Sequence, residues 1–275
     1  MENVDIIINE ECNFKCDFCL LKITEWKLDY NDFSLKKIND TLILGRSNWL
    51  NSLCISWWEP TISKNLFKVL ALWVHYWYKD ISLVTNWFVL NDDFCKKLKK
   101  YWVNKLYMSM TWYNAEIFEK QVWVAGVFDT FIDNLKTALT FFDIAINIVV
   151  NNLNIEFLIE QWNLLKNLGV KNVNLLHAIP YKDNDKTLPT NESIKKNINE
   201  FINVFDKDFN INLEFFPFCL IDNKKYIVLE SNELTDIENQ DEASKRRENS
   251  FRYKKIADKC KSCEYLNDCN WFWNN

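Results

Sequence analysis

Three closely spaced cysteines follow the first apolar segment of the chain. Cys12, Cys16 and Cys19 form a C-x3-C-x2-C triplet directly after the apolar residues 4–8. Three thiolates on one tight loop can ligate three irons of an iron–sulfur cube and leave the fourth iron open to a small molecule. The same spacing also fits part of a zinc site, whose usual unit is C-x2-4-C, or three buried thiols that bind nothing.

The triplet lies at the end of a predicted strand, and Phe18 stands directly before its last cysteine. This arrangement resembles the radical S-adenosylmethionine (SAM) enzymes. The resemblance implies that Cys12, Cys16 and Cys19 hold a [4Fe–4S] cluster whose open iron binds SAM. In that family an electron from the cluster cleaves SAM into methionine and a 5′-deoxyadenosyl radical. The aromatic residue lies near the adenine, so Phe18 is an expected SAM contact.

Three further predicted strand ends carry residues that fit the same resemblance. A Ser-Trp-Trp-Glu-Pro segment stands where radical SAM enzymes have Gly-Gly-Glu-Pro, a loop that lies along the methionine part of SAM. The resemblance therefore places Trp57, Trp58 and Glu59 at the SAM site. It also implies that Ser109 binds a ribose hydroxyl and that Asn86 is a weaker SAM contact. The residues alone also allow simpler explanations: Glu59 as a loop carboxylate, Ser109 as a hydroxyl at a strand end, and Asn86 as a turn residue.

The balance of tryptophan and glycine is unusual. The chain has 13 tryptophans and only 3 glycines, whereas glycine is normally about 7% of residues. Several tryptophans stand where the resembled family commonly has glycine, namely Trp57, Trp58, Trp87, Trp112 and Trp271. Some bacterial lineages reassign the UGA codon to glycine, so we hypothesise that most of these tryptophans are glycines in the functional protein. The alternative is a tryptophan-rich chain with a packed aromatic core.

Composition limits the class of protein. A chain of 275 residues, 48% hydrophobic and 26% charged, can bury one large α/β core and a small appendage. Apolar runs are too short for a transmembrane helix, and the acidic N-terminus is not a signal peptide. A net charge of −5 with dispersed basic residues predicts no nucleic-acid partner. Nine cysteines without a secretion signal predict reduced thiols in the cytoplasm.

Strand and helix patterns alternate over most of the chain. We predict strands at 6–8, 53–56, 81–85, 106–110, 145–150 and 173–176, and helices at 32–44, 65–78, 92–101, 130–142, 155–168 and 192–205. This alternation favours a parallel sheet with helices outside, and the six units resemble the partial (β/α)6 TIM-type barrel of radical SAM enzymes. The predicted domains are therefore a barrel at 1–210 and a small cysteine-rich extension at 211–275. Barrel active sites lie at the C-terminal ends of the strands, where Glu59, Asn86 and Ser109 fall.

A second group of cysteines lies in the predicted extension. Cys260, Cys263 and Cys269 form a C-x2-C-x5-C pattern, and Cys219 lies upstream. The group resembles the SPASM or Twitch extensions of radical SAM enzymes, which hold auxiliary [4Fe–4S] clusters. Four cysteines would complete the coordination of one such cluster, whereas three would leave an iron open to substrate. A structural zinc ribbon with four cysteine ligands is the alternative.

Together these features predict a cytoplasmic radical SAM enzyme with one catalytic and one auxiliary [4Fe–4S] cluster. The implied reaction is hydrogen abstraction from a peptide or small-molecule substrate. The implied electron donor is a protein such as flavodoxin or ferredoxin, with no membrane partner. One alternative is a cofactor-biosynthesis radical SAM enzyme of the molybdopterin type. The other is a zinc-binding interaction module without enzymatic activity.

Overall fold

The structure, a computed structural model, describes residues 3–16, 19, 34–178, 188–228, 234–235, 254–266, 269 and 272–273. Within these ranges seven strands form one parallel sheet: β1 (Asn3–Ile6), β2 (Ser52–Ile55), β3 (Asp80–Thr85), β4 (Lys105–Ser109), β5 (Asp143–Val150), β6 (Asn172–His177) and β7 (Asn210–Glu214). A two-residue strand, β8 (Leu234–Thr235), pairs in parallel with the free edge of β1. The strands are neighbours in chain order from β1 to β7. This order confirms the predicted α/β fold of the partial-barrel type.

Helices follow or connect these strands. The α-helices of the described ranges are α1 (Leu35–Ser47), α2 (Leu66–His75), α3 (Asp92–Lys100), α4 (Ala115–Val122), α5 (Phe128–Leu139), α6 (Leu158–Asn167) and α7 (Asn191–Phe205). Right-handed crossovers between strands that are neighbours in chain order place all of the connecting helices on one face of the sheet. None of the described helices has both the length and the apolarity that a membrane span requires.

The two faces of the sheet differ in polarity. In β4, for example, Leu106 and Met108 are fully buried, whereas the alternate residues Lys105, Tyr107 and Ser109 are only half-buried. Buried apolar side chains of the strands and helices form one continuous core. The opposite face, here called the inner face, carries the alternate side chains. The strand pattern therefore produces an apolar helix-covered face and a more polar inner face.

The sequence did not predict helix α4 or strand β7. Helix α4 has only eight residues, and its start is marked by Asn114, whose side chain accepts a hydrogen bond from the backbone N–H of Ile117. Strand β7 spans the predicted domain boundary at residue 210 and pairs with β6. The sheet therefore includes residues 211–214 of β7 and the two residues of β8 from the segment predicted as the extension. The division of the chain into two domains stays a prediction.

Among the described residues, seven tryptophans have a positive backbone φ angle, between 42° and 68°: Trp49, Trp57, Trp58, Trp77, Trp87, Trp102 and Trp123. A side chain with a Cβ atom is strained in this left-handed region, whereas glycine adopts it readily. Two glycines of the described chain, Gly126 and Gly169, occupy the same region, with φ angles of 72° and 87°. Tryptophan thus stands repeatedly at backbone positions that favour glycine.

The ends of three helices allow tryptophan and glycine to be compared at the same structural position. Gly169 follows helix α6, where its N–H donates to the carbonyl of Lys166 and the N–H of Val170 donates to the carbonyl of Leu165. This pair of hydrogen bonds defines the Schellman motif, which usually has glycine at the left-handed position. Trp49 after helix α1 and Trp77 after helix α2 occupy the equivalent position, with the same pair of hydrogen bonds. Their side chains are 86% and 71% exposed, so burial does not offset the backbone strain.

We predict that Trp49→Gly and Trp77→Gly each stabilise the protein. Each replacement should raise the free energy of unfolding by about 1 kcal/mol, because it removes a Cβ from a left-handed residue without removing a buried side chain. Urea unfolding followed by far-ultraviolet circular dichroism measures the change.

Trp73→Gly is the matched control. Trp73 lies inside helix α2 and is fully buried, so this variant should lose about 3–5 kcal/mol of unfolding free energy. A loss of stability in both surface variants would contradict the assignment of Trp49 and Trp77 to glycine positions.

Candidate functional site

The N-terminal cysteine loop is anchored to the carboxyl end of the sheet. Phe14 is buried, and its ring centroid lies 5.4 Å from that of Trp87 and 5.9 Å from that of Phe88. The N–H of Lys15 donates to the carbonyl of Val122 at the end of helix α4 over 3.1 Å. These contacts hold the segment between Cys12 and Cys16 in place. Phe18, the predicted adenine contact, lies outside the described residues.

All three predicted cluster ligands are free thiols. The Cys12 sulfur accepts hydrogen bonds from the N–H of Phe14 at 3.4 Å and from Asn86 Nδ2 at 3.8 Å. The N–H of Cys19 donates to the carbonyl of Cys16 in a tight turn. Burial raises the pKa of the Cys12 thiol. Donors directed at a sulfur stabilise a metal-bound thiolate, so this loop fits an iron–sulfur cluster.

Asn86, a predicted SAM contact, connects the loop after β3 to the cysteine loop. Its Nδ2 also donates to Asn13 Oδ1 at 2.6 Å, and its Oδ1 accepts from the N–H of Phe88 at 3.3 Å. The structure therefore brings Asn86 and Cys12 together, as predicted from their strand ends. Asn86 fixes the position of the cysteine loop in addition to any contact with a ligand.

Glu59 is fully buried, and its carboxylate accepts four hydrogen bonds from the protein. The donors are the N–H and hydroxyl of Thr61, the hydroxyl of Thr85 and the N–H of Asn86. Burial is the largest influence on this carboxyl group and raises its pKa, against the opposing effect of these donors. The side chain of Glu59 is thus a positioning group that joins the loops after β2 and β3.

The backbone of Glu59 continues this connection to the cysteine loop. Its N–H donates to the carbonyl of Glu11 at 3.0 Å, and its carbonyl accepts from Asn9 Nδ2 at 3.1 Å. Asn9 Nδ2 also donates to the carbonyl of Glu11. The loops after β1, β2 and β3 are therefore fixed to one another at the carboxyl edge of the sheet. Sequence reasoning predicted Glu59 but missed Asn9, Thr61 and Thr85.

Trp57 and Trp58 directly precede this network. Both are half-buried and both have a positive φ angle, of 68° and 42°. Two consecutive left-handed residues form a conformation for which glycine is the natural residue. The backbone of this loop is therefore shaped for two glycines, as the resemblance predicted.

Ser109 ends strand β4 on the inner face. Its carbonyl accepts a 2.9 Å hydrogen bond from the indole N–H of Trp87, and it lies in register with Asn147 of β5. Trp87 itself is fully buried despite its φ angle of 68°. At this position the backbone favours glycine, whereas the packing of the indole favours tryptophan. Trp112, the other tryptophan predicted near Ser109, has no positive φ angle.

The C-terminal cysteines approach the end of β7. A short ribbon of β9 (Lys254–Lys255) and β10 (Phe272–Trp273) flanks Cys260, Cys263 and Cys269. The Cys269 sulfur accepts from the N–H of Phe218 at 3.3 Å, next to the exposed Cys219.

Ring stacking strengthens the same contact. The rings of Phe218 and Tyr265 stack at 5.1 Å between centroids. The structure thus brings the segment that carries Cys219 to the segment that carries the other three cysteines.

Neither cysteine group is arranged around a single ion. In the part of the chain that the structure describes, no three His, Cys, Asp or Glu side chains converge to hold one metal ion. The iron–sulfur cluster and the zinc ribbon that the cysteine spacing allows therefore both stay predictions.

His177 does not belong to the site. It ends β6 on the helix-covered face, is 5% exposed, and its Nδ1 lies 2.6 Å from the carbonyl oxygen of Ala178. Burial lowers its pKa to about 4, so the imidazole is neutral near pH 7. Its edge-on contact with the Phe216 ring, at 5.3 Å, is a packing interaction.

Replacing Glu59 tests its positioning role. Glu59→Ala leaves four buried donors without an acceptor and should cost more than 3 kcal/mol of unfolding free energy, at roughly 1–3 kcal/mol for each buried group left unpaired. Glu59→Gln retains one carbonyl oxygen and should lose only about 1–3 kcal/mol, because its amide meets the N–H of Asn86 donor to donor. Urea unfolding of the two variants, side by side, measures the difference. Equal stability of Glu59→Ala and the unchanged protein would show that the network is dispensable.

Comparison with known proteins identifies the superfamily of the chain. A family model described as the radical SAM superfamily matches residues 6–191, which is more than half of the chain. A probable GTP 3′,8-cyclase of Saccharolobus islandicus (strain M.14.25 / Kamchatka #1) is 28% identical over 209 residues, 71% of this chain and 65% of that protein. A probable GTP 3′,8-cyclase of Sulfurisphaera tokodaii is 23% identical over 200 residues, 71% of this chain and 62% of that protein. The chain thus matches slightly less than two thirds of the length of these relatives.

Solved structures share the fold. Native anSMEcpe with bound AdoMet superposes with a TM-score of 0.68 at 15% identity, over 98% of this chain and 88% of that one. SuiB of Streptococcus suis bound to the precursor peptide SuiA gives a TM-score of 0.61 at 17% identity, over 77% of this chain and 48% of that one. At these identities the likeness concerns the fold alone. With the family match and the cysteine loop at the carboxyl end of β1, the chain belongs to the radical SAM superfamily.

Proposed function

We propose that this chain is a radical SAM enzyme that abstracts hydrogen from a peptide or small-molecule substrate. The observation that carries the proposal is the network joining the Cys12 loop, Asn86 and buried Glu59, within a chain of this superfamily. A reduced [4Fe–4S] cluster held by Cys12, Cys16 and Cys19 would supply the electron that cleaves SAM into methionine and a 5′-deoxyadenosyl radical. A donor such as flavodoxin or ferredoxin is the source of that electron in this proposal.

The residues of this chain have positioning roles in the proposed reaction. Glu59 fixes the loop after β2, so that the backbone at Trp57 and Trp58 faces the methionine part of SAM. Asn86 donates to the Cys12 sulfur and thereby orients the cluster loop. Ser109, at the carboxyl end of β4, would bind a ribose hydroxyl in this proposal. Phe14 and the rings of Trp87 and Phe88 that it contacts form an apolar cluster, which in this proposal excludes water from the carboxyl edge of the sheet.

We further propose that the functional enzyme has glycine at the positions of Trp57 and Trp58. Two positive φ angles in a loop that must approach a ligand closely support this, because glycine brings no Cβ into that space. The helix-end residues Trp49 and Trp77 give independent support, since they stand in Schellman motifs. Reading of UGA codons as glycine in the source organism would produce this whole set.

An auxiliary [4Fe–4S] cluster held by Cys219, Cys260, Cys263 and Cys269 completes the proposal. The contact between Phe218 and Cys269, which brings Cys219 towards the other three cysteines, supports it. Four thiolate ligands would close the coordination of this cluster and suit it to accept an electron from a substrate radical.

A second candidate function follows from the named relatives. Proteins called probable GTP 3′,8-cyclase share 28% identity with this chain over 209 residues. Under this alternative the substrate is GTP and the enzyme belongs to cofactor biosynthesis of the molybdopterin type.

We predict that anaerobically reconstituted protein is brown and holds about eight irons per chain, four in each cluster. A triple replacement of Cys12, Cys16 and Cys19 by serine should leave about four irons, because only the auxiliary cluster remains. Iron and sulfide analysis with electron paramagnetic resonance measures both.

Cys95→Ser is the matched control. Cys95 is a fully buried thiol in helix α3 that donates to the carbonyl of Leu90, and burial raises its pKa to about 11. The control should keep the full iron content. Stoichiometric zinc in place of iron in the reconstituted protein would overturn the proposal.

The double variant Trp57→Gly with Trp58→Gly tests the SAM loop. It should bind SAM at least about tenfold more tightly than the chain as written, because it removes two indoles and two strained φ angles from the loop. Equilibrium dialysis with labelled SAM, and 5′-deoxyadenosine released after dithionite reduction, measure the gain. Equal binding by both proteins would contradict this account of the loop, as would UGG codons at both positions in the source DNA.

A further inference from the structure

A row of polar side chains crosses the inner face at the end of β4 and in the middle of β5, β6 and β7. Ser109, Asn147, Asn174 and Asn212 lie in register on β4, β5, β6 and β7. Residues paired in this way on parallel strands share one face of the sheet. None of the SAM contacts proposed above accounts for the three asparagines.

The three asparagines form a chain of hydrogen bonds, here called the upper amide ladder. Asn212 Nδ2 donates to Asn174 Oδ1, and Asn174 Nδ2 donates to Asn147 Oδ1, each over 2.9 Å. This direction leaves Nδ2 of Asn147 as the donor at the end next to Ser109. In the described part of the chain, Nδ2 of Asn147 donates to no protein acceptor. Asn147 is half-buried, so its amide faces a space that a ligand can reach.

A second ladder lies lower on the same face. Asn210 Nδ2 donates to Asn172 Oδ1 at 2.9 Å, and Asn172 Nδ2 donates to Asp143 Oδ1 at 2.7 Å. This lower amide ladder ends on a carboxylate of the protein and has no donor left over at that end. The two ladders are therefore alike in composition and strand placement, and only the upper one ends on a donor.

The upper amide ladder lies on strands whose neighbours or ends lead towards the two cysteine groups. Its Ser109 end is next to β3, which leads into Asn86 and the Cys12 loop. Its Asn212 end lies on β7, which leads into Phe218 and Cys219. Neighbouring strands are about 4.8 Å apart, so four strands cover about 14 Å. A substrate held between the two cysteine groups would lie over this ladder.

The charges on the inner-face strands favour a substrate without phosphate groups. On the described strands of the parallel sheet, the inner-face acids Asp5, Asp80 and Asp143 and the single cation Lys105 lie on the amino-terminal side of the upper amide ladder. Beyond the ladder, the only charged inner-face residue on these strands is an acid, Glu214 of β7. Proteins hold phosphate groups with arginine, lysine or the N–H groups of helix N-termini. The strands beside the upper amide ladder thus present neutral amides and one carboxylate, and no cation that would bind a phosphate group.

We infer that the upper amide ladder selects an amide-bearing, phosphate-free substrate of the peptide class. This inference rests on the proposed radical SAM function. A peptide carbonyl accepts from Asn147 Nδ2 and from the Ser109 hydroxyl without bringing a negative charge to Glu214. Amide side chains both donate and accept, so they match the alternating groups of a peptide backbone. The substrate thereby differs from the GTP in the name of the relatives.

Binding without turnover tests the substrate class. The anaerobic protein with both clusters and SAM, in the absence of reductant, is equilibrated with two probes: labelled GTP, and a library of capped decapeptides of zero net charge. Mass spectrometry measures depletion of the library, and dialysis measures bound GTP. We expect neutral peptides to bind at least tenfold more tightly than GTP. Tighter binding of GTP than of any library member would overturn the inference.

Two matched variants test the ladder itself. Asn212→Lys breaks the upper amide ladder and adds a cation, and should weaken the selected peptides about tenfold while improving GTP binding. Asn210→Lys makes the same exchange at an equally exposed residue of the lower ladder and should change peptide binding less than twofold. Equal effects of both variants would overturn the role of the upper ladder.

A separate measurement isolates the proposed function. Release of 5′-deoxyadenosine after dithionite reduction, without any probe, reports SAM cleavage alone. Its absence in the protein with glycine at positions 57 and 58 would refute the radical SAM reaction and leave the binding result standing.

Isosteric Asn147→Asp keeps the acceptor for Asn174 but removes the donor, and should weaken peptide binding about tenfold. Unchanged binding by this variant would overturn the assignment of the donor.

Discussion

A single buried carboxylate determines the geometry at the carboxyl edge of the parallel sheet. Glu59 accepts four hydrogen bonds, and its donors come from its own loop and from the end of β3. The backbone of the same residue is bonded to Glu11 beside the first cysteine. Because every unmade bond to a buried carboxylate is costly, the three loops adopt one relative arrangement. The backbone at Glu11 and Cys12 is therefore held in place relative to the sheet by bonds within the protein.

The parallel sheet supplies the surface on which this edge acts. Strands in chain order with right-handed crossovers place their helices on one side, so the apolar alternate residues must face that side. The remaining residues of each strand then face inward, where nothing requires them to be apolar. Asparagines occupy these positions in β5, β6 and β7 and bond to one another across the strands. The same topology thus provides both the apolar core and a polar inner surface.

Sequence patterns predicted the fold class and the cysteine loop because both depend on local spacing. Alternating segments gave six of the strands within a few residues, and the strand-end positions of Cys12, Asn86 and Ser109 followed. The partners of Glu59 could not be predicted, because Thr85 meets it only through the pairing of β2 with β3. The amide ladders depend on strand register in the same way. The repeated Asn-x-Asn pattern at 172–174 and 210–212 was the available signal, since alternate strand residues share a face.

The tryptophans at helix ends have a consequence for the movement of this gene between organisms. Schellman turns, the SAM loop and several other helix ends use the same residue type at left-handed positions. If one reassigned codon encodes all of them, a host that reads this codon as tryptophan would strain every one of these turns in each copy that it translates. A host that reads the codon as a stop would make no complete chain at all. No single compensating mutation could restore the protein, so the fold itself would confine the gene to lineages that share its genetic code.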